Sequence, residues 1–323
     1  METPSDFEAV GQEIESVLAE TGRVYVGQTD FVRLALTALF ANGHVLIESV
    51  PGLGKTLLVR LLGHILGCQF GRIQFTADLM PSDITGQPVF DSRTQDFRFR
   101  RGPVFTQLLL ADEINRSPAK THAALLEIMQ ESHVTVDGTT YPLDPPFLVM
   151  ATQNPIESEG TYNLPEAQLD RFLFKLVVEY PTAAEEDAIL QLHCRADFLQ
   201  QPIDQLVQPR LDPARIRHIQ ALCRQVAVDD RVVTYINQIV RKTREWPAFY
   251  MGASPRAGIA LLSGARVLAA FAGRSYVTPD DVSELVLPAL RHRVILSPEA
   301  EVEGETVDRS LKSLLKTIEV PRL

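Results

Sequence analysis

Short apolar runs alternate with helical patterns in the first half of the chain, and this alternation constrains the fold most. The runs have the apolar and β-branched composition of buried strands: "HVLIE" (44–48), "QLLLADEI" (107–114), "PFLVM" (146–150) and "FLFKLVV" (172–178). Such alternation is typical of a parallel sheet covered by helices. After Tyr180-Pro181 only helical patterns follow. We predict an α/β core at 1–195 and an all-α domain at 196–323.

A loop of the phosphate-binding kind follows the first apolar run. In "ESVPGLGKT", Gly54, Lys55 and Thr56 match the end of the pattern G-x-x-x-x-G-K-[ST], but Ser49 replaces its first Gly. Gly residues let backbone amides approach phosphate oxygens, and the next helix offers its positive end. Lys55 would reach the β- and γ-phosphates, and Thr56 would bind Mg²⁺. The alternative is a chance Gly-rich turn.

Two carboxylates, Asp112 and Glu113, follow the apolar run "LLLA". A carboxylate at the tip of a buried strand beside the loop can hold Mg²⁺. A second carboxylate can polarise an attacking water as a general base. Strands often end in acidic residues, so the pair indicates a nucleotide site only in combination with the phosphate-binding loop.

Two further polar residues flank the later strands. Asn154 follows "PFLVMATQ" and could orient the water, or simply begin a turn before Pro155. Arg171 precedes the last core strand, where pairing with the adjacent Asp170 is an equally good interpretation.

Arg256 lies in "GASPRAG", where Ser254 is the expected N-cap and Pro255 the first helical residue. The helix dipole mildly disfavours a cation in this first turn, and a phosphate nearby would reverse that preference. We interpret Arg256 as a γ-phosphate contact made by the helical domain. The alternative is a solvated surface arginine.

Two β-hairpins are predicted, near 88–103 and near 133–143, the second turning at Asp137-Gly138. The first contains "RFRR", Arg98–Arg101, the best candidate for a nucleic-acid contact. A net charge of −10 opposes binding to polyanions, so a solvated hairpin face is the favoured interpretation.

The three cysteines are far apart and form no CxxC pair, which fits a reducing compartment. "METPSDFEAV" lacks the features of a signal peptide, and no apolar run is long enough to span a bilayer. A cytoplasmic protein is expected.

Taken in order, the motifs resemble those of AAA+ ATPases and, more narrowly, the MoxR family, related to magnesium-chelatase motor subunits. The resemblance rests on "VPGLGKT", "FTADLMPSDITG", "FRFRRGPVF", "LLLADEINRSPAKTHAALLEIMQE", "ATQNPIESEGTYNLPEAQLDRF", "GASPRA" and "YVTPDDV". It implies a five-stranded αβα nucleotide domain followed by a helical lid, with ATP and Mg²⁺ as cofactors. MoxR-like loops accept residues other than Gly at the position of Ser49.

The resemblance also implies roles for single residues. Asp112 and Glu113 would be the Walker B pair, Asn154 sensor 1, Arg256 sensor 2, and Arg171 an arginine finger acting on a neighbouring subunit. Thr56 and Asp112 would bind the metal. The nucleotide would be contacted by Ser49, Val50, Pro51, Gly52, Leu53, Gly54, Lys55, Thr56 and Leu57.

The family further implies a homo-oligomeric ring, most often a hexamer, that matures or activates a client protein. Such clients often carry a von Willebrand factor A domain, and the two hairpins would be the helix-2 insert and the hairpin before sensor 1. Two alternatives stay open: a DNA-associated motor, favoured by "RFRR", and an ATP-gated scaffold that assembles without hydrolysis.

Overall fold

The computed structural model describes residues 6–154, 162, 164–194 and 202–322. The predicted domain boundary at 195/196 lies outside the described residues. The strands are β1 Val45–Ser49, β2 Phe70–Gln74, β3 Gly86–Asp91, β4 Asp96–Arg101, β5 Leu108–Asp112, β6 His133–Val136, β7 Thr139–Pro142, β8 Leu148–Gln153, β9 Phe174–Val178, β10 Phe249–Met251 and β11 Ile295–Leu296.

The helices are α1 Asp6–Gly22, α2 Thr29–Phe40, α3 Lys55–Ile65, α4 Pro81–Thr85, α5 Ala119–Glu131, α6 Glu166–Leu169, α7 Ala183–His193, α8 Ile203–Leu206, α9 Pro213–Gln225, α10 Asp230–Thr243, α11 Pro255–Phe271, α12 Pro279–Leu290, α13 Pro298–Val302 and α14 Val307–Leu315, with a 3₁₀ turn at Ile114–Arg116. Within the described ranges, no helix combines the length and the apolar character needed to cross a bilayer.

A five-stranded parallel sheet forms the centre of the first domain, in the order β2-β5-β8-β1-β9. This confirms the predicted α/β core. Because β1 is the fourth strand in this order, the loop that follows it lies two strands away from the end of β5. The sheet therefore brings the phosphate-binding loop and the acidic pair to the same, carboxyl-terminal edge.

Both faces of the sheet are buried, which explains why its strands are apolar without alternation. Val45 and Ile47 contribute to one hydrophobic cluster, whereas Leu46 between them contributes to the other. Leu108 and Leu109 divide between the two clusters in the same way. Successive side chains of a strand point to opposite faces, so each apolar run supplies both cores at once.

The second domain packs on the first through α11, which contacts α1 and α2 as well as α9, α10 and α12. Close approach requires a small residue at Gly264, where an added Cβ would lie 2.9 Å from Phe174 Cζ. The domain is helical as predicted, except for a short antiparallel pair between β10 and β11 that helical periodicity alone did not indicate. These strands are only three and two residues long, too short to give a sequence pattern.

Both predicted hairpins are present. β3 pairs with β4, and β6 pairs with β7 through Asp137-Gly138, whose φ angles of 49° and 76° are those of a primed turn. Phe99 of the first hairpin stacks on Tyr141 of the second, with ring centroids 4.3 Å apart. The two hairpins thus form one connected surface feature.

Helix starts follow the sequence signals with one difference. Ser254 caps α11 by accepting a hydrogen bond from Arg256 N–H, as predicted. The order Ser117-Pro118 predicts Ser at the N-cap of a helix and Pro at its first position. In α5, however, Pro118 takes the N-cap position, and the Ser117 hydroxyl donates to Ile114 O of the preceding 3₁₀ turn. The turn uses the serine that would otherwise cap the helix.

His44 is a buried, neutral histidine just before β1. Its Nδ1 accepts from Val149 N–H at 3.1 Å, so Nε2 carries the proton and donates to Met129 O at 2.9 Å. Burial lowers the pKa of His44 from 6.5 to about 4. Between these pH values His44 is therefore protonated in the unfolded chain but stays neutral in the folded chain.

We expect the free energy of unfolding to fall as the pH drops from 6.5 towards 4, by about 3 kcal/mol in total for His44. Urea unfolding at a series of pH values measures this. His44→Gln offers a similar acceptor and donor without the titration, so its stability should depend less on pH. His292, whose pKa is also lowered by burial, is present in both proteins and gives the same background. Identical pH profiles for the two proteins would contradict this account.

Candidate functional site

The loop between β1 and α3 has the backbone of a phosphate cradle. Gly52 and Gly54 have φ angles of 86° and 71°, a region that favours glycine. Lys55 and Thr56 begin α3, so the loop meets the amino-terminal end of an 11-residue helix. The positive end of the helix dipole and free backbone amides meet here, as an anion site requires.

Ser49, the departure from the loop pattern, is the last residue of β1 and is 3% exposed. Its Oγ accepts a hydrogen bond from Lys55 Nζ at 2.6 Å, and Val50 O accepts another at 3.2 Å. The extended backbone of a strand does not require glycine at this position. Ser49 thus fits without strain and holds the lysine beside the loop, a contact that the sequence did not reveal.

Lys55 is partly buried, and burial lowers its pKa, while the charges of Asp112 and Glu113 oppose that shift. The same charges show that the lysine and the acidic pair lie within electrostatic reach of each other. The site therefore brings Lys55 of α3 near the carboxylates of Asp112 and Glu113 at the end of β5.

Ser49→Gly is expected to change ATP affinity by less than about fivefold, because it removes a single side-chain hydrogen bond, the one from Lys55, and the strand backbone does not require glycine there. Titration with a fluorescent ATP analogue measures the affinity. Gly52→Ala is the matched control: it adds one methyl group, but at φ 86°, and should weaken binding through backbone strain. A gain above tenfold in Ser49→Gly would show that the native loop is impaired.

The acidic pair lies at the end of β5, where Thr152 of β8 positions both residues. Thr152 Oγ1 donates to Asp112 Oδ1 at 2.7 Å and accepts from Glu113 N–H at 2.8 Å. Glu113 has φ 57°, an uncommon value for a residue with a side chain. Backbone strain of this kind often occurs at functional sites, where surrounding contacts maintain it. Thr152 is a site residue that sequence reasoning missed.

Neighbouring polar side chains contact one further oxygen of each carboxylate. Arg72 Nη2 lies 2.8 Å from Asp112 Oδ2, and Gln74 Nε2 donates to Glu113 Oε2 at 2.6 Å. Arg116 Nε lies 3.2 Å from that same Glu113 oxygen. Together with Thr152, four residues from two strands and the 3₁₀ turn therefore hold the two carboxylates.

The donors at this edge suit Mg²⁺. Within the part of the chain that the structure describes, no group of three or more His, Cys, Asp or Glu residues could hold a metal alone. Mg²⁺ instead uses one or two protein oxygens together with substrate phosphates and water. The Thr56 hydroxyl, in the first turn of α3, and the Asp112 carboxylate, at the end of β5, are donors of that kind.

Asn154 directly follows β8, the strand that lies between β5 and β1. It is 9% exposed and stands two residues after Thr152. The strand order therefore places Asn154 between the acidic pair and the phosphate-binding loop, and its role in orienting a water stays a prediction.

A cavity of about 280 Å³ lies beside the loop. Tyr25 fixes part of its wall by donating to Gln28 Oε1 at 2.9 Å and approaching Leu53 O at 3.2 Å. Burial raises the pKa of Tyr25 to about 12, so its hydroxyl is neutral. The lining is mainly apolar and suits a planar base: Val24, Tyr25, Val26, Gln28, Gly52, Leu53, Gly54, Leu57, Pro181, Ile189, Leu192 and His193.

Arg171 and Arg256 lie together at a second cavity, of about 360 Å³, shared with Asn42, Gly43 and His44. Those three residues precede β1, whereas the phosphate-binding loop follows it. At about 3.3 Å per residue, the five-residue strand separates the two edges by roughly 15 Å. Arg256 therefore lies at the edge of the sheet opposite the loop of its own chain, and its contact with a γ-phosphate stays a prediction.

Asp170 holds Arg256 at this cavity. Its Oδ1 lies 2.7 Å from Nε of the buried Arg293, and its Oδ2 lies 4.0 Å from Arg256 Nη1. Ser254 Oγ also donates to Asp170 Oδ2 at 3.0 Å. Arg171 instead donates from Nη1 to Leu126 O at 3.1 Å. Arg171 and Arg256 both line the cavity at the protein surface.

The parallel sheet, the loop, the acidic pair and the helical second domain define an ATPase of the AAA class. Residues 44–174 match the model described as the ATPase family associated with various cellular activities, and residues 241–314 match the AAA lid domain.

Relatives extend this similarity over the whole chain. Chaperone MoxR1 of Mycobacterium tuberculosis is 41% identical over 99% of this chain and 86% of its own length. Protein YeaC of Bacillus subtilis, called uncharacterized, is 46% identical over 97% of this chain and 95% of its own. The crystal structure of a candidate ATPase from Cytophaga hutchinsonii superimposes with a TM-score of 0.91, at 39% identity over 98% of this chain and 97% of that one. The chain belongs to the MoxR family of AAA+ ATPases, and it binds and hydrolyses ATP.

Proposed function

We propose that the protein is a ring-forming, Mg²⁺-dependent ATPase that remodels partner proteins. The observation that carries this proposal is the position of Arg171 and Arg256 on the edge of the sheet opposite the phosphate-binding loop. Neither arginine can serve the loop of its own chain, yet both face outward where a second copy can present its loop. A repeated contact of this head-to-tail kind gives a ring when its rotation closes.

Within one chain, the loop residues bind the phosphates, and Thr56 and Asp112 hold the metal. The metal would neutralise developing charge on the phosphates. Glu113 acts as the general base that takes a proton from the attacking water, and Asn154 orients that water. These roles follow from the shared edge of β1, β5 and β8.

The arginines complete the site from the neighbouring copy. Arg171 and Arg256 stabilise the charge that builds on the γ-phosphate as the bond breaks, a contribution of the arginine-finger kind. Asp170 orients Arg256 before the copies meet, and Leu126 O orients Arg171. In each copy, the carboxyl-terminal edge of the sheet carries the phosphate-binding loop, and the opposite edge carries the arginines. The proposed domains are a core at 1–195 and a lid at 196–323.

The client is proposed to be a protein, because a relative at 41% identity is named a chaperone. The connected hairpins provide a surface for it: Phe90 and Phe97 are 50% and 67% exposed. A client with a von Willebrand factor A domain and a hexameric ring are proposed from the family resemblance. Arg98 pairs with Asp91 at 3.6 Å and Arg101 lies over the Phe105 ring, which supports a structural use of "RFRR" over a nucleic-acid contact.

Light scattering on a sizing column tests the assembly. With ATP and Mg²⁺, a hydrolysis-deficient chain is expected to elute as a ring of several copies, most simply six. Affinity capture of that ATP-held form should retain the client protein. A wild-type chain that hydrolyses ATP while it stays monomeric at micromolar concentration would overturn the proposal.

A further inference from the structure

We propose that Arg72 pairs with Asp112, the metal-binding carboxylate, and must leave it when Mg²⁺–ATP binds. This inference rests on the proposed Mg²⁺ site and identifies a residue that regulates it. The contacts of β2 with β5 carry the argument.

Arg72 and Gln74 stand two residues apart on β2, an edge strand of the sheet, so their side chains share one face. Gln74 lies in register with Asp112 on β5. Arg72 Nη2 donates to Asp112 Oδ2 at 2.8 Å and to Gln74 Oε1 at 2.7 Å. A single guanidinium group thus joins the metal-binding carboxylate to its neighbour on the edge strand.

Both oxygens of Asp112 are engaged in this state. Thr152 donates to Oδ1, and Arg72 donates to Oδ2. The Arg72 guanidinium neutralises the charge of the Asp112 carboxylate, as a bound metal ion would. A divalent cation bound to the same carboxylate would repel Arg72 at close range.

Arg72 can leave with little cost to packing. Its side chain is 45% exposed, whereas that of Asp112 is 13% exposed. The arginine can therefore turn towards solvent while the carboxylate stays in place. Thr152, 1% exposed, continues to hold Asp112 after the arginine has moved.

The same network reaches the general base. Gln74 accepts from Arg72 through Oε1 and donates through Nε2 to Glu113 Oε2 at 2.6 Å. Because both its oxygen and its nitrogen are hydrogen-bonded, the Gln74 amide holds Glu113 in place while Arg72 is bound to Asp112. When Arg72 leaves, Gln74 loses one of these two hydrogen bonds, so the Glu113 side chain becomes more mobile when the metal binds.

Equilibrium binding of a fluorescent β,γ-imido analogue of ATP tests the role of Arg72 without hydrolysis. Arg72→Gln is expected to bind the analogue with Mg²⁺ about threefold to tenfold more tightly than wild type, because no pair must be broken. Arg72→Lys keeps the charge and should stay within about twofold of wild type.

A control variant separates Arg72 from general effects. Arg60→Gln removes an exposed charge on α3 and should stay within about twofold of wild type. An affinity equal to or weaker than wild type in Arg72→Gln, or an equal gain in Arg60→Gln, would overturn the inference.

The outcome for wild type separates this inference from the proposed function. Equal affinity with Mg²⁺ and with EDTA in wild type would refute the proposed metal site itself. Clear Mg²⁺ dependence in wild type, without a gain in Arg72→Gln, would refute only the role of Arg72.

Discussion

Glu113→Gln is expected to lower the turnover of ATP at least about a hundredfold, the usual contribution of a general base. The amide cannot take a proton from water, yet it keeps the size of the carboxylate. Because the phosphate-binding loop and Asp112 are unchanged, ATP affinity should remain within a few fold of wild type. Phosphate release and analogue binding, measured on the same preparation, separate the two effects.

Glu319→Gln is the matched control, because Glu319 is exposed near the end of the chain. It should hydrolyse ATP at the wild-type rate. Wild-type turnover in Glu113→Gln would remove Glu113 from the chemistry. Loss of ATP binding together with turnover would instead assign Glu113 to holding the nucleotide.

Arg171→Ala should lower turnover by about a thousandfold, and Arg256→Ala should lower it in the same direction. Neither change should alter ATP affinity of the isolated chain, since both arginines lie on the edge of the sheet opposite the loop. Each variant is compared with Arg224→Ala, which removes an exposed arginine from α9. Phosphate release measured above and below the concentration of assembly is the readout.

A direct role in binding nucleotide within one chain would give a different result. Analogue affinity of the diluted, monomeric chain would then fall in Arg171→Ala or Arg256→Ala. Full turnover by monomeric Arg171→Ala would equally contradict a role in the neighbouring site.

The fold and the main site could be predicted because their signals are local. Lys55, Asp112 and Asn154 each follow a short apolar run, and parallel strands must bring such ends to one edge. Sequence spacing is enough to find residues that a strand presents at its carboxyl end.

The remaining site residues depend on pairing across the sheet. Thr152, Arg72 and Gln74 act through side chains on strands whose order and register the sequence does not specify. Arg256 shows the same limit: its place in the first turn of α11 was predicted, but the edge of the core that the turn faces depends on domain packing. The hydrogen bond from Lys55 to Ser49 likewise depends on the path of the loop between them, which the sequence does not specify.

The most direct test of the shared site mixes two inactive variants. Lys55→Ala lacks the phosphate lysine but keeps both arginines, whereas Arg171→Ala keeps its loop but lacks the finger. Each alone should release little phosphate. In an equal mixture, about one contact in four pairs an intact loop with an intact Arg171, so turnover should recover to roughly that fraction of wild type. A mixture no more active than its two components would contradict the account.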